Sequence, residues 1–331
     1  MDFGSINPVV LVASLMVAAT PILMAAIGEL VVEKAGVLNL GVEGMMIVGA
    51  VCGFAVTVSA NALDCSTWES GAWLCAVLDA PHPAVFGFIG AALGGMAMAG
   101  LFAILTQLLM ANQVASGLAL TLFGLGFSDL LGQSYVGVVP PRTEKIDFGP
   151  LSDLPVVGRI VFGHDPLVYL SIALVFGVWY WLGYSRGGRV LRAVGENQDS
   201  AHALGYKVKR VRILAILFGG ACAGLGGAYL SLVRVPQWTE GMTAGAGWIA
   251  LALVVFASWR PWRVLAGAYL FGGIMVLQLN LQAAGFRIPV EYLAMSPYII
   301  TILVLVVMSS NRGRRSLAAP GSLGRSFHAA G

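Results

Sequence analysis

Apolar runs about 20 residues long recur from one end of this chain to the other, and no soluble fold accommodates that pattern. A bilayer core of roughly 30 Å is crossed by about 20 helical residues. Nine runs of this kind are legible, at residues 7–32, 36–60, 83–110, 114–137, 166–184, 211–234, 242–259, 262–284 and 291–309. Only 11% of the residues are charged and 58% are hydrophobic, with a mean hydropathy of +0.84. A soluble domain needs about a quarter of its residues charged to keep its surface wet. Inside lipid every backbone N–H and C=O must be satisfied within the segment, so the runs are read as helices. The expected fold is an all-α polytopic membrane protein of about nine spans, within a range of eight to ten.

The charges set an orientation. If the loop at 185–210 faces the cytoplasm, the inner side receives 14 basic residues. They are Lys34, seven between Arg186 and Arg212, Arg260, Arg263 and four in the tail from Arg312 onward. The outer side receives five, namely Arg142, Lys145, Arg159, Arg234 and Arg287. The excess of Lys and Arg on one side is what the positive-inside rule requires. It predicts an outer N-terminus, a cytoplasmic C-terminus and an odd number of spans. The opening stretch "MDFGSINPVV" is acidic rather than basic, so no secretory signal peptide is expected.

Few residues offer conventional chemistry. Cys52 and Cys222 fall within spans as small apolar packers. Cys65 and Cys75 share the loop 61–82, where an oxidising compartment would permit a disulfide, two unpaired thiols being the alternative. His82, His164, His202 and His328 are scattered without metal-ligand spacing. No phosphate-binding GxxxxGK[ST] loop, HExxH motif or nucleophile–base pair is present. The chain is expected to bind no cofactor or metal and to catalyse no reaction itself.

Residues 1–311 read as one membrane domain, and the basic, then small and polar, stretch 312–331 as a flexible cytoplasmic tail. The outer segment 138–165, rich in Pro and Gly, reads as an ordered loop with a short helix. Small residues recur every four positions in two runs. Gly87, Ala91, Gly95 and Ala99 form one row, and Gly220, Gly224 and Ala228 another. Such rows let membrane helices approach closely. Pro21 and Pro297 fall inside runs and are expected to kink them.

Three constellations are candidates for function. In "EKAGVLNLGVEGMMIVGA", residues 33–50, a very short turn joins two helices, and Asn39 and Glu43 then enter the second span four residues apart, which places both on one helical face. A carboxylate within a span costs roughly 2.5–3.5 kcal/mol near its centre, so Glu43 either faces a wet pathway or braces a neighbouring helix. Amide and hydroxyl side chains form a second group: Asn112, Gln113, Ser116 and Thr121, with Gln278, Asn280 and Gln282 further on. They suit a substrate carrying hydroxyls or ring nitrogens, and interhelical hydrogen bonding is the alternative. No strong intramembrane charge pair or carboxylate chain is read here, which speaks against a proton- or sodium-driven carrier. The third is "ENQDSAHALGY", residues 196–206, which carries the signals of a short capped helix. Asn197 is placed as N-cap, Asp199 sits in the first turn and Gly205 is the stop. Ala201 and Leu204 share a face beside Ser200, a surface that would seat in a groove of another protein.

Taken together these segments resemble a known family. "KAGVLNLGVEGMMIVGA" (34–50), "NQVASGLALTL" (112–122), "GRVLRAVGENQDSAHALGYKVKRVRILAILFGGACAGLGGAYLSL" (188–232), "GMTAGAGWIALALVVFASWRPWRVLAGAYLFG" (241–272) and "PYIITILVLVV" (297–307) are similar to permease subunits of bacterial ABC importers. The group handles branched-chain amino acids, ribose and simple sugars, and the chain looks most like its nucleoside permeases. The resemblance implies a multi-pass subunit of the cytoplasmic membrane working with three partners. These are a cytoplasmic ABC ATPase holding ATP and Mg²⁺, a second and non-identical permease, and an extracytoplasmic substrate-binding protein. It implies nucleoside import by alternating access, with ribose or another sugar as the alternative substrate and an ATP-independent carrier as a more distant one. It also implies that the loop 193–209 docks the ATPase, through Glu196, Asn197, Ser200, Ala201, Leu204 and Gly205. Asn39, Glu43, Gln113 and Thr121 are the expected lining or gating residues.

Overall fold

The computed structural model describes residues 8–61, 83–283 apart from 144, 147, 152, 153 and 157, isolated positions between 292 and 303, and 319–328. Among these, all regular structure is helical. In chain order the helices are α1 (Pro8–Lys34), α2 (Val42–Asn61), α3 (Pro83–Ala103), α4 (Gln113–Gly132), α5 (Pro166–Tyr184), α6 (Arg186–Glu196), α7 (Gln198–Ala203), α8 (Val208–Tyr229), α9 (Ala246–Phe256) and α10 (Pro261–Ala283). Wide π turns extend α3 through Ile104–Leu108 and α8 through Leu230–Arg234. The segment 138–165 carries only short turns, at Gly149–Leu151 and Gly158–Phe162.

Among the described residues, seven helices (α1 to α5, α8 and α10) are long and apolar enough to cross a membrane. The run at 242–259 is not an eighth. Its helix α9 has 11 residues, about 16 Å at 1.5 Å per residue, half the depth of a bilayer core. Two left-handed residues, Ala244 (φ 46°) and Gly245 (φ 82°), delay its start, and two more, Ser258 and Trp259 (φ 52° and 54°), close it. Hydropathy detects the apolar run and is blind to these breaks. Most of the run at 291–309, including Pro297, and the Cys65–Cys75 loop lie outside the described residues.

The core is formed by α1, α2, α3 and α8 packed on one another, with α10 and α9 against α1 and α4 against α2. The two small-residue rows meet at its centre. A Cβ added to Gly49 of α2 would fall 2.2 Å from the Gly224 Cα, and one on Gly95 would fall 2.1 Å from the Gly220 carbonyl oxygen. Backbones this close exclude any side chain, so glycine is required on both faces of the contact. Pro21 sits inside α1 without ending it, and its carbonyl is covered by Gly226 of α8.

Helices α6 and α7 differ in kind from the spans. Ser185 caps α6 by accepting the Gly188 N–H at 2.9 Å. Arg186, Arg189 and Arg192 then lie exposed along one side, while Gly188, Leu191 and Val194 are buried on the other. This is the pattern of a helix lying along the end of the bundle.

Candidate functional site

The short helix α7 is built as its sequence indicates. The Asn197 side chain accepts from the Asp199 and Ser200 N–H groups at 3.1 and 2.9 Å, which satisfies two donors of the first turn. Gly205 takes φ 87°, the left-handed conformation of a helix stop. Its two expected contact residues part company, however. Leu204 is 76% exposed, with Glu196, Asn197, Ser200 and Gly205 exposed around it. Ala201 is only 2% exposed and packs inward against Val194, Val208 and Phe327. An apolar face shared by Ala201 and Leu204 is therefore not what α7 presents outward. With six residues its helix is too short for the two to align, because Leu204 already belongs to the C-cap turn.

Phe327 belongs to the part of the tail that is described. Residues 319–328 are not loose against this surface: Ser322 is 4% and Phe327 5% exposed, and both contact the α6–α7 region. Composition makes the stretch look flexible. What holds residues 319–328 there is the packing of Phe327, the Ser322 hydroxyl and backbone hydrogen bonds to distant segments, none of which composition reports.

A second constellation surrounds the turn between α1 and α2. The four predicted lining residues converge here, all buried. Gln113 accepts the Leu38 N–H through Oε1 at 2.8 Å, and Thr121 donates to the Leu40 carbonyl at 3.0 Å. The start of α4 thereby fixes the turn. Gln113 Nε2 has no partner. Asn39 is not on α2, which begins at Val42, so it does not share a helical face with Glu43. Its Oδ1 accepts from the Gly41 N–H at 3.0 Å, and its Nδ2 donates to Glu29 at 3.4 Å.

Glu43 looks the other way, at the start of α9. Its Oε1 accepts from Thr243 Oγ1 at 2.5 Å and from the Gly245 N–H at 2.9 Å, and its Oε2 accepts from the Gly247 N–H at 2.7 Å. A carboxyl group at a helix N-terminus meets both orphan N–H donors and the positive end of the helix dipole. A Cβ on Gly247 would lie 2.6 Å from the Glu43 backbone, so only glycine admits this approach. At the far end of α9, Trp259 donates its indole N–H to Glu33 Oε2 at 2.5 Å. The short helix is thus held at its entry by α2 and at its exit by α1.

Glu29 and Glu33 are the functional candidates that sequence reading missed. Both are essentially inaccessible, at 1% and 0% exposure, and one oxygen of each has no partner. With Glu43 they place three buried carboxyl groups in 15 residues, so the expectation of no intramembrane carboxylate chain is overturned. The signal was available as "GELVVE", two glutamates one helical turn apart. Ending the first run at residue 32 left Glu33 outside it, so the pair with Glu29 was not seen.

The opposite end of the bundle holds a cavity of about 650 Å³ with a largely apolar wall, reached by Lys145, His164, Asp165 and Arg234. Tyr229 donates to Asp165 at 3.4 Å. Burial raises the Asp165 carboxyl above its ordinary value, partly opposed by the charge of Lys145. Between α5, α6 and α8 runs a second cavity of about 780 Å³, lined by Leu174, Val178, Val190 and Phe218 among others and by no charged side chain. Among the described residues no group of three His, Cys, Asp or Glu is placed to hold a metal ion.

Comparison with known proteins names the assembly these features belong to. Residues 11–308 match the family model described as branched-chain amino acid transport system / permease component. A putative glucose ABC transporter permease of Haloferax volcanii is 40% identical, over 94% of this chain and 95% of its own length. A guanosine ABC transporter permease of Bacillus subtilis is 31% identical over 92% and 93%, and a nucleoside ABC transporter permease of Lactococcus lactis is 31% identical over 90% and 92%. No solved structure shows significant similarity to the chain. A multi-span helical bundle, matched to that family along nearly its whole length, belongs to the branched-chain amino acid transport system permease components and is a multi-pass membrane permease subunit of an ABC importer.

Proposed function

We propose that this subunit carries a small polyhydroxylated ring compound, a nucleoside, inward by alternating access, driven by an ATPase that docks on the exposed side of α7. The observation that carries the coupling role is the capped α7 itself, which holds Leu204 out at 76% exposure on a rigid, arginine-flanked platform. A side chain presented in this way seats in a partner's groove at little ordering cost. On the positive-inside expectation we take this platform, the α1–α2 turn and the 319–328 segment as cytoplasmic, and the Asp165 cavity as outer. ATP and Mg²⁺ are held by the partner ATPase.

The pathway responds to α7 through α9. Glu43 and Glu33 hold the two ends of this short helix, and Asn39, Gln113 and Thr121 hold the turn between the helices that bear them. Displacing the turn moves α9, which is the gating step in this reading. The two pairs of left-handed residues at its ends, Ala244–Gly245 and Ser258–Trp259, give the segment its hinge points.

A second permease chain, different from this one, completes the pathway, and a separate extracytoplasmic protein delivers the substrate. Bacillus subtilis and Haloferax volcanii each have a second, more distant permease that also resembles this chain, at 24% and 22% identity, which supports a pairing of unlike subunits. A sugar is the second substrate reading, favoured by the 40% identity to a putative glucose permease. Calorimetry of the cognate binding protein separates the two. Binding of nucleosides and not of glucose or ribose supports the first, and the reverse pattern replaces it.

A further inference from the structure

The segment 320–327 touches three connections that lie far apart in the chain. Toward α7, the Ser322 N–H donates to the Gly195 carbonyl at 2.9 Å, and the Gln198 N–H donates to Ser322 Oγ at 3.1 Å. Gln198 is the first residue of α7, so its N–H has no acceptor within the helix. Its side-chain amide donates to the Ser326 carbonyl at 3.2 Å. Toward the α1–α2 turn, the Gly324 N–H donates to the Gly36 carbonyl at 3.2 Å. Toward the foot of α8, Arg212 donates from Nη1 to the Arg325 carbonyl at 2.9 Å and from Nε to the Ala35 carbonyl at 3.2 Å. Phe327 fills the space between α6, α7 and α8 against Val194, Ala201 and Val208, with the His202 ring edge-on at 5.2 Å.

Arg212 gives the arrangement its character. It is wholly buried; Nε and Nη1 of its guanidinium donate to two backbone carbonyls from opposite ends of the chain, while Nη2 has no partner. A buried guanidinium is costly unless its donors are used, and the two bonds it makes tie the Ala35 and Arg325 segments together. Gly36, at φ 85°, leaves the room: a Cβ there would stand 2.9 Å from Arg212 Nη2.

We propose that residues 320–327 form a clasp that makes α7, the α1–α2 turn and the foot of α8 move as one body, with Ser322, Phe327 and Arg212 as positioning residues for energy coupling. Without the clasp, α7 keeps Ala201 against Val194 and Val208 and its peptide links to α6 and α8, and its displacement is absorbed locally. With it, a shift of α7 reaches Gly36 directly and, through the turn, the Asn39–Glu43 constellation. The inference rests on the reading of α7 as the ATPase dock.

The test uses the complete transporter in proteoliposomes, with Phe327→Ala, Ser322→Ala and the conservative Ser322→Thr. Amide hydrogen exchange over residues 197–206 is followed together with substrate uptake per ATP hydrolysed. In the two alanine variants exchange in α7 should rise about fivefold to tenfold, the factor expected for one lost buried contact. Uptake per ATP should fall several-fold while the ATPase still co-purifies and its basal rate holds. Ser322→Thr should restore both. Unchanged exchange overturns the clasp, and faster exchange with normal uptake per ATP overturns its role in coupling. Loss of ATPase binding also overturns it, since the segment would then serve docking itself. Leu204→Asp, run alongside, reads the docking surface separately: normal stimulation there removes the dock and leaves the exchange result standing.

Discussion

Trp259 and Glu33 meet at 2.5 Å, indole N–H on carboxyl oxygen, and so join the exit of a helix too short to cross the membrane to the last turn of the first span. The Glu43 carboxyl does the same at the other end with three donors. The short helix is therefore suspended between two buried acidic groups, and its position depends on hydrogen bonds more than on lipid contact.

Trp259→Phe keeps the ring and removes the donor, leaving Glu33 buried with neither oxygen paired. A loss of about 1–3 kcal/mol is expected, seen as a lower apparent unfolding temperature in detergent. In a Glu33→Gln background the same substitution should cost clearly less, and equal costs would mean the pair does not interact.

Replacing Glu43 separates charge from bracing. Glu43→Ala strands the Thr243 hydroxyl and two backbone N–H groups and should destabilise by about 2–4 kcal/mol. Glu43→Gln retains one acceptor oxygen and should cost about 1–2 kcal/mol. It should leave assembly intact and slow uptake, measured with radiolabelled substrate. Unchanged kinetics would take Glu43 out of the gating step.

The glycine contact at the core makes a prediction with its own control. Gly49→Val demands space already occupied by Gly224, and the folded protein should be lost, judged by recovery of a monodisperse peak. Gly126→Val meets nothing within 4 Å and should be recovered normally.

Asp165 predicts a pH dependence. Its carboxyl is raised in the folded protein by burial, so the folded form holds the proton more tightly than the unfolded one. Stability is then highest in acid and falls as pH rises through the unfolded value, about 4, to the folded one. Asp165→Asn removes this slope. The variant should match wild type below about pH 4 and unfold at a slightly higher temperature near neutrality. A variant less stable at neutral pH than at acid pH, relative to wild type, would contradict the account.

What was legible in the sequence follows from which interactions leave a pattern. Hydropathy exposes spans, four-residue spacing exposes Gly95 and Gly224, and a cap such as Asn197 writes its signature within three residues. The α9 breaks were hidden because Ala244, Ser258 and Trp259 carry no mark of a left-handed backbone. The clasp was hidden because Gln198 and Ser322 are 124 residues apart. The roles of Asn39, Gln113 and Thr121 as braces depend on backbone partners, which no side-chain pattern reports. Cys65 and Cys75 lie outside the described residues, and their pairing stays a proposal for thiol labelling.

The measurement closest to the central claim is substrate-stimulated ATP hydrolysis by the reconstituted complex carrying Leu204→Asp. Leu204 is exposed, so the permease should fold and insert as wild type does. The charge enters the groove that α7 occupies, and stimulation by loaded binding protein should be lost together with uptake. Wild-type stimulation in this variant would show that the ATPase does not engage α7, and the account of how ATP drives this subunit would fall with it.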